Sequence, residues 1–161
     1  MTVKEYNQSV EQFADRVFRF IVKNMRNRDD AQDVVQNAFM ILWKNYESIS
    51  FEKSRSYLFT VAYHNMIDQF RKKKFNEELS DDHNQIQGNN YQYTGTREAL
   101  DEGLKKLPEL QQTVVLLRDY EGYNYEEIGE ITGLNKSQVK VYIFRARQAL
   151  KNYLVKTENA I

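Results

Sequence analysis

Between Lys136 and Lys156 the chain carries Lys136, Lys140, Arg145, Arg147, Lys151 and Lys156 and no acid, a local charge of +6. Arg97 to Asn135, just upstream, holds four basic and nine acidic residues, a local charge of −5. The whole chain has 23 residues of each sign and is neutral, so any attraction for a polyanion must be local. Cations late in a helix can be explained by the helix dipole alone, as a solvated surface. Lys136 and Lys140 cannot, because they fall at the start of the helical pattern, where the dipole disfavours them. At helical spacing Gln138, Lys140, Val141, Phe144, Arg145 and Gln148 share one face, and Val139, Tyr142, Ile143, Ala146, Ala149, Leu150 and Tyr153 share the other. Long cations beside exposed apolar groups suit phosphates, base edges and thymine methyls.

A surface of that kind needs a scaffold to present it. Asn124 can cap a short helix, with Glu127 closing a capping box and Ile128 and Ile131 facing inward. Gly133 supplies a helix end, Leu134 can plug the angle that follows, and Asn135 can cap the longer helix beginning at Lys136. The result is the layout of a DNA-reading helix-turn-helix. Two helices precede it, Arg97 to Leu107 and Pro108 to Tyr120. The second turns Leu110, Val114 and Leu117 inward, with Tyr120 a further candidate for the inner face, and the two complete a small domain.

The first half of the chain is also helical in pattern. Thr2 to Met25 carries a stripe of Val10, Phe13, Ala14, Val17, Phe18, Ile21 and Val22. Asp29 to Tyr46 buries Val34, Val35, Ala38, Phe39, Leu42 and Tyr46, and leaves Asp33, Gln36, Asn37, Met40 and Lys44 outside with Trp43 at the boundary. That outer face is either solvated or a protein-binding surface. Ile49 to Arg55 breaks the pattern and reads as a loop. The helix from Ser54 to Lys74 turns Leu58, Phe59, Ala62, Met66 and Phe70 inward, with Tyr57, Thr60, Val61, His64, Asp68 and Arg71 on the other side. Aromatic, polar and basic groups on one stripe suit single-stranded nucleic acid or an ordinary solvated face. Phe75 to Thr96 holds Glu77, Glu78, Asp81 and Asp82 and no Lys or Arg, and reads as a flexible acidic linker. His83 within it has no clustered partner.

Composition narrows the classes further. The chain has no cysteine, one proline and six glycines, so neither a disulfide framework nor a thiolate metal site is available, and an all-α fold of two small helical domains is expected. No apolar run reaches membrane-spanning length and the N-terminus lacks a signal-peptide core, which predicts a cytoplasmic protein without direct membrane insertion. No phosphate-cradling glycine loop or nucleophile–base pair occurs. The expectation is no catalytic site, no metal and no cofactor.

Taken together, these stretches resemble an RNA polymerase sigma factor of the extracytoplasmic-function class, in the sigma-70 family. DVVQNAFMILWKNY at Asp33 to Tyr46 is similar to the region that holds the polymerase's largest subunit. SYLFTVAYHNMIDQFRKKK at Ser56 to Lys74 is similar to the region that melts and reads the minus-ten element. LPELQQTVVLLRDYEGYNYEEIGEITGLNKSQVKVYIFRARQAL at Leu107 to Leu150 resembles the domain that reads the minus-thirty-five element. The resemblance implies a domain over residues 1–75, a linker over 76–96 and a helix-turn-helix domain over 97–161. It implies core RNA polymerase, promoter DNA and an anti-sigma factor as partners.

Carried over by motif, Asp33, Gln36, Asn37, Met40 and Trp43 would face polymerase. The Ile49 to Arg55 loop, with Phe51, Glu52, Lys53 and Ser54, would hold a flipped minus-ten base near Tyr57, His64, Asp68 and Arg71. Arg118 and Tyr125 would touch phosphates, and Ser137, Gln138, Lys140, Val141, Phe144 and Arg145 would lie at the upstream element. The chain departs from the family where Tyr57 replaces a usual tryptophan, where Thr60 and His64 replace common arginine and asparagine, and where Val141 and Tyr142 replace a frequent Ser-Arg pair. The promoter sequence is therefore not implied. Two other readings fit the same residues: a stand-alone helix-turn-helix regulator, and a helical adaptor that binds no DNA.

Overall fold

The computed structural model describes residues 1–79 and 95–159, with side chains to Thr157. Seven α-helices and no strand occur among the described residues: α1 Val3–Met25, α2 Arg28–Asn45, α3 Phe51–Leu79, α4 Thr96–Lys105, α5 Glu109–Val115, α6 Tyr125–Thr132 and α7 Lys136–Asn159. The all-α architecture agrees with the sequence pattern. The expected positions of Asp81, Asp82 and His83 lie outside the described residues.

Helices α1, α2 and α3 pack on one another as one bundle. Thr2 and Glu5 form a capping box that starts α1, and Asn27 caps α2 by accepting from the Asp30 amide at 3.0 Å. Val17, Ile21, Val34, Ala38, Leu42, Leu58, Phe59 and Ala62 are fully buried between the three helices. The stripe expected on α1 is displaced, because Phe20 and Ser9 are buried while Phe13, Phe18 and Val22 are only partly covered. Phe20 turns toward α3, where its ring lies 5.4 Å from that of Phe59. Tyr63, not expected inside, is buried on the same helix.

Two expectations about α3 are corrected. The Ile49 to Arg55 loop is shorter than its sequence suggested: a single 3-10 turn at Tyr46–Ser48 is followed by two residues, and α3 already starts at Phe51. No glycine or proline interrupts Phe51 to Arg55, Glu52 favours the positive end of the helix dipole, and the Ser54 hydroxyl donates to the Phe51 carbonyl at 2.6 Å. At the other end α3 continues to Leu79, so Phe75 to Leu79, assigned to the linker, are helical. Acids alone do not stop a helix.

Helices α4, α5 and α6 gather around α7. Leu104, Val114, Leu117, Ile128, Ile131, Val139, Ile143 and Ala146 form their core. The long helix expected over Pro108 to Tyr120 is interrupted. After α5 the chain widens into a π-helical turn over Leu116–Tyr120, in which the Glu121 amide bonds the Leu116 carbonyl at 3.1 Å. Ala149 on α7 and Tyr120 at the end of the π-helical turn, both expected inside, are exposed.

The two bundles touch. Gln112 donates to the Lys23 carbonyl at 2.6 Å and Thr113 donates to Asn24 Oδ1 at 2.9 Å. Asp101 lies 3.7 Å from Lys23 and 3.3 Å from Arg26. The Tyr123 ring sits 5.5 Å from Phe59, and the Arg55 guanidinium lies 4.6 Å from the Tyr123 centroid.

Candidate nucleic-acid interface

The helix-turn-helix is assembled by local chemistry that the sequence spelled out. Asn124 accepts from the Glu127 amide at 2.8 Å, and the Glu127 carboxylate accepts from the Asn124 amide at 3.0 Å. Gly133 ends α6 in the left-handed region at φ 81°, a conformation that disfavours side chains. Gly129 was not singled out from the sequence, yet a Cβ there would sit 2.7 Å from the Leu134 carbonyl oxygen. Close approach of the turn to α6 demands that glycine. Asn135 and Gln138 repeat the reciprocal cap on α7, at 2.8 and 3.0 Å.

On α7 the structure brings Ser137, Gln138, Lys140, Val141, Phe144 and Arg145 together on one exposed surface. Phe144 is 65% exposed, a large apolar area for a helix whose other side is packed. Lys136 and Arg145 make no ion pair among the described residues, so their charge is available. Arg147 is different: its guanidinium pairs with both oxygens of Asp119 on the π-helical turn. That pairing raises the Arg147 pKa further and removes one cation from the local excess.

Arg118 and Tyr125 flank this surface. Arg118 Nη1 donates to the Tyr123 carbonyl at 3.0 Å, and its guanidinium lies 5.0 Å from the Tyr125 centroid. Lys140 Nζ lies 5.7 Å from the same ring. Tyr125 thus joins the two cations, one from before α6 and one from α7, into a single positive edge.

The residues expected at the minus-ten element are scattered in exposure. Glu52, Lys53, His64, Asp68 and Arg71 are exposed, and Phe51 and Tyr57 are half-buried. Ser54 is corrected: it is fully buried with its hydroxyl bonded to the chain, because it occupies the inward face of the first turn of α3. Arg55 is held by the second bundle, where Nη2 donates to the Glu121 carbonyl at 2.6 Å and lies 3.4 Å from its carboxylate. Burial drives the Tyr123 pKa strongly upward, and Glu121 and Glu127 add to the effect while Arg55 and Arg16 oppose it. Nothing in the sequence pattern marked Tyr123 or Glu121, since a polar turn between helices reads as surface.

Asp33, Gln36, Asn37, Met40 and Trp43 all emerge on the exposed side of α2. Met40 is 57% and Trp43 45% exposed. Trp43 stacks on Tyr46 at 5.0 Å and meets Tyr6 edge-on at 4.9 Å, which fixes the indole against the bundle. A shallow groove beside Met40 runs between α1 and α2, floored by Val10, Phe18, Val35 and Phe39.

Comparison with known proteins gives these surfaces a context. The family profile described as Sigma-70 region 2 matches residues 9–75, and that described as Sigma-70, region 4 matches residues 97–150. RNA polymerase sigma factor SigV of Bacillus subtilis is 30% identical over 146 residues, covering 88% of this chain and 86% of SigV. ECF RNA polymerase sigma factor SigM of the same organism is 29% identical over 157 residues, covering 94% of each chain. In fold, the chain is similar to the sigma factor RpoE of Bartonella quintana, solved in complex with the anti-sigma factor NepR. The TM-score is 0.81 at 24% identity, covering 94% of this chain and 98% of that one. The capped helix-turn-helix, the three-helix bundle before it and these matches along both halves place the chain in the sigma-70 family of RNA polymerase sigma factors, in its extracytoplasmic-function class.

Proposed function

We propose that this chain acts as an alternative sigma factor through three separate surfaces. The exposed side of α2, with Asp33, Gln36, Asn37, Met40 and Trp43, binds core RNA polymerase. The start of α7 enters the major groove of the upstream element. Phe51, Glu52, Lys53 and Tyr57 on the first turns of α3, with His64, Asp68 and Arg71 further along it, act on unpaired minus-ten bases. Residues 1–75 and 97–161 serve as the corresponding domains, and bond-making chemistry belongs to the polymerase rather than to this chain.

The observation that carries this reading is the uncompensated cationic and apolar edge of α7 beside the Arg118–Tyr125–Lys140 array. Such an edge suits a duplex: phosphate contacts fix register and base-edge contacts select sequence. An anti-sigma protein as partner, and a cytoplasmic place of action, follow from the resemblance to the extracytoplasmic-function class.

Reconstituted transcription with core polymerase on genomic fragments tests the reading. Initiation at defined sites that depends on this chain is the expected result, and its absence on every fragment would refute it. Within the same assay, Gln36→Glu combined with Met40→Asp should weaken core association, measured by pull-down, while the far-ultraviolet helical signal stays unchanged. Retained full affinity would move the polymerase surface away from α2.

A further inference from the structure

We propose that Asp119 is a specificity-determining residue: it ties down Arg147 so that this guanidinium cannot clamp backbone phosphates when α7 docks where it recognises no base. The inference rests on the proposed docking of α7 in a duplex. Arg147 lies about two turns beyond Lys140 on α7. Its Nε and Nη2 donate to the two carboxylate oxygens of Asp119, Nε at 3.1 Å. Arg118, one residue before Asp119, lies 5.0 Å from the Tyr125 centroid, and Lys140 lies 5.7 Å from the same ring. The bond to Asp119 raises the Arg147 pKa most and Tyr125 adds to it, so a third cation gathers near that ring. The widened turn over Leu116–Tyr120 thus gives two neighbours opposite tasks. Arg118 adds a cation to the positive edge, and Asp119 withdraws one.

Helix geometry decides what a free Arg147 could touch. It stands about 120° around α7 from Val141, the middle of the stripe that carries Gln138, Phe144 and Arg145. A side chain on that flank reaches phosphates rather than base edges, and phosphates carry no sequence information. A long, unpinned arginine can follow a phosphate through many tilts of the helix, whereas base contacts permit one. Holding Arg147 therefore takes affinity mainly from dockings that read nothing, and discrimination between sites grows by weakening the wrong ones. The holder suits the task. Two parallel bonds orient the guanidinium, and a carboxylate on the same fold competes at a higher effective concentration than a passing phosphate. As a staple for the fold the pair would do little, because its side chains are 49% and 39% exposed and such pairs add little stability.

The full chain, assembled with core polymerase, is titrated onto two labelled duplexes at about 50 and about 200 mM salt. One is a fragment on which it initiates, and the other has scrambled sequence. A single phosphate contact changes affinity about threefold over that span. Asp119→Asn should therefore strengthen binding to the scrambled duplex about threefold more at the lower salt than at the higher. Preference for the initiating fragment should fall by a similar factor, with the far-ultraviolet helical signal unchanged. Asp119→Glu keeps the carboxylate and should keep the preference. On an Arg147→Ala background Asp119→Asn should change neither quantity, which separates release of Arg147 from loss of a charge that itself repels phosphates. An equal gain on both backgrounds, or no gain on the scrambled duplex, overturns the proposal. So does weaker binding to the initiating fragment alone, which would make Asp119 a support for a promoter contact, and so does loss of helical signal, which would make the pair a staple of the fold. If the wild-type chain initiates on no fragment, the sigma-factor reading fails and takes the proposal with it, a result distinct from any effect of substitution.

Discussion

Arg118 and Arg145 show how far a residue's type leaves its task open. Both are arginines near the edge proposed to face the duplex. Arg145 is exposed and makes no ion pair among the described residues, whereas Arg118 is half-buried, bonded to the Tyr123 carbonyl and set over Tyr125. A guanidinium already oriented by protein presents its remaining donors in a fixed direction, as a phosphate clamp requires, while a free fork can pair with a guanine edge. Arg145→Ala should therefore cost roughly 1–3 kcal/mol and relax preference at one base pair. Arg118→Ala should weaken all sequences alike and lower the salt slope by about one. Binding to a library randomised over the upstream element, at two salt concentrations, separates the two. A change of base preference on loss of Arg118 would reverse the assignment. The sequence alone showed both cations; it could not show that Arg147, a third, is engaged by Asp119.

Helices were legible where a local rule decides them. Asn124 with Glu127, and Gly133 at the end of α6, are signals confined to a few residues, and the structure follows them. The first turn of α3 was missed because Ile49 to Arg55 lacks periodicity, although nothing in it forbids a helix. The π-helical turn at Leu116–Tyr120 was also missed, since an added residue per turn leaves no mark in residue type. Gly129 belongs to the same class: its need arises from the Leu134 carbonyl, a contact made only once the turn is folded. Gly129→Ala should accordingly strain the angle between α6 and α7 and destabilise the fold by about 1–3 kcal/mol. Urea unfolding measures this directly, and a midpoint equal to wild type would show that Leu134 moves aside freely.

At the scale of the whole molecule, composition and order of motifs were readable, but the meeting of the two bundles was not. Contacts between residues such as Arg55 and Glu121, or Asn24 and Thr113, depend on how separate amphipathic units dock, and no periodicity encodes docking. Tyr123 gives that contact a pH dependence. Its ordinary value is 10.0, and burial where the bundles meet raises it, with Arg16, Arg55, Glu121 and Glu127 also facing it. A raised acid is held neutral in the folded chain, so Tyr123's contribution to the contact is complete below pH 10 and declines as pH climbs from there toward the raised value. Scattering between pH 9 and pH 11 should show the wild type expanding more than Tyr123→Phe, which cannot ionise. Equal expansion would mean that ionisation of Tyr123 plays no part in the contact.

The reciprocal cap at the start of α7 limits what the helix can say to a base. Gln138 Oε1 accepts from the Asn135 amide at 3.0 Å, which turns the oxygen back toward its own backbone and leaves the nitrogen as the outward atom. Glutamine recognises adenine by offering both ends at once, accepting from N6 and donating to N7. Held in the cap, Gln138 can only donate. Its vocabulary is reduced to acceptor edges, purine N7, guanine O6 or thymine O4, and adenine-specific reading requires breaking a cap worth about 1 kcal/mol. The same bond that begins the helix thus edits its alphabet.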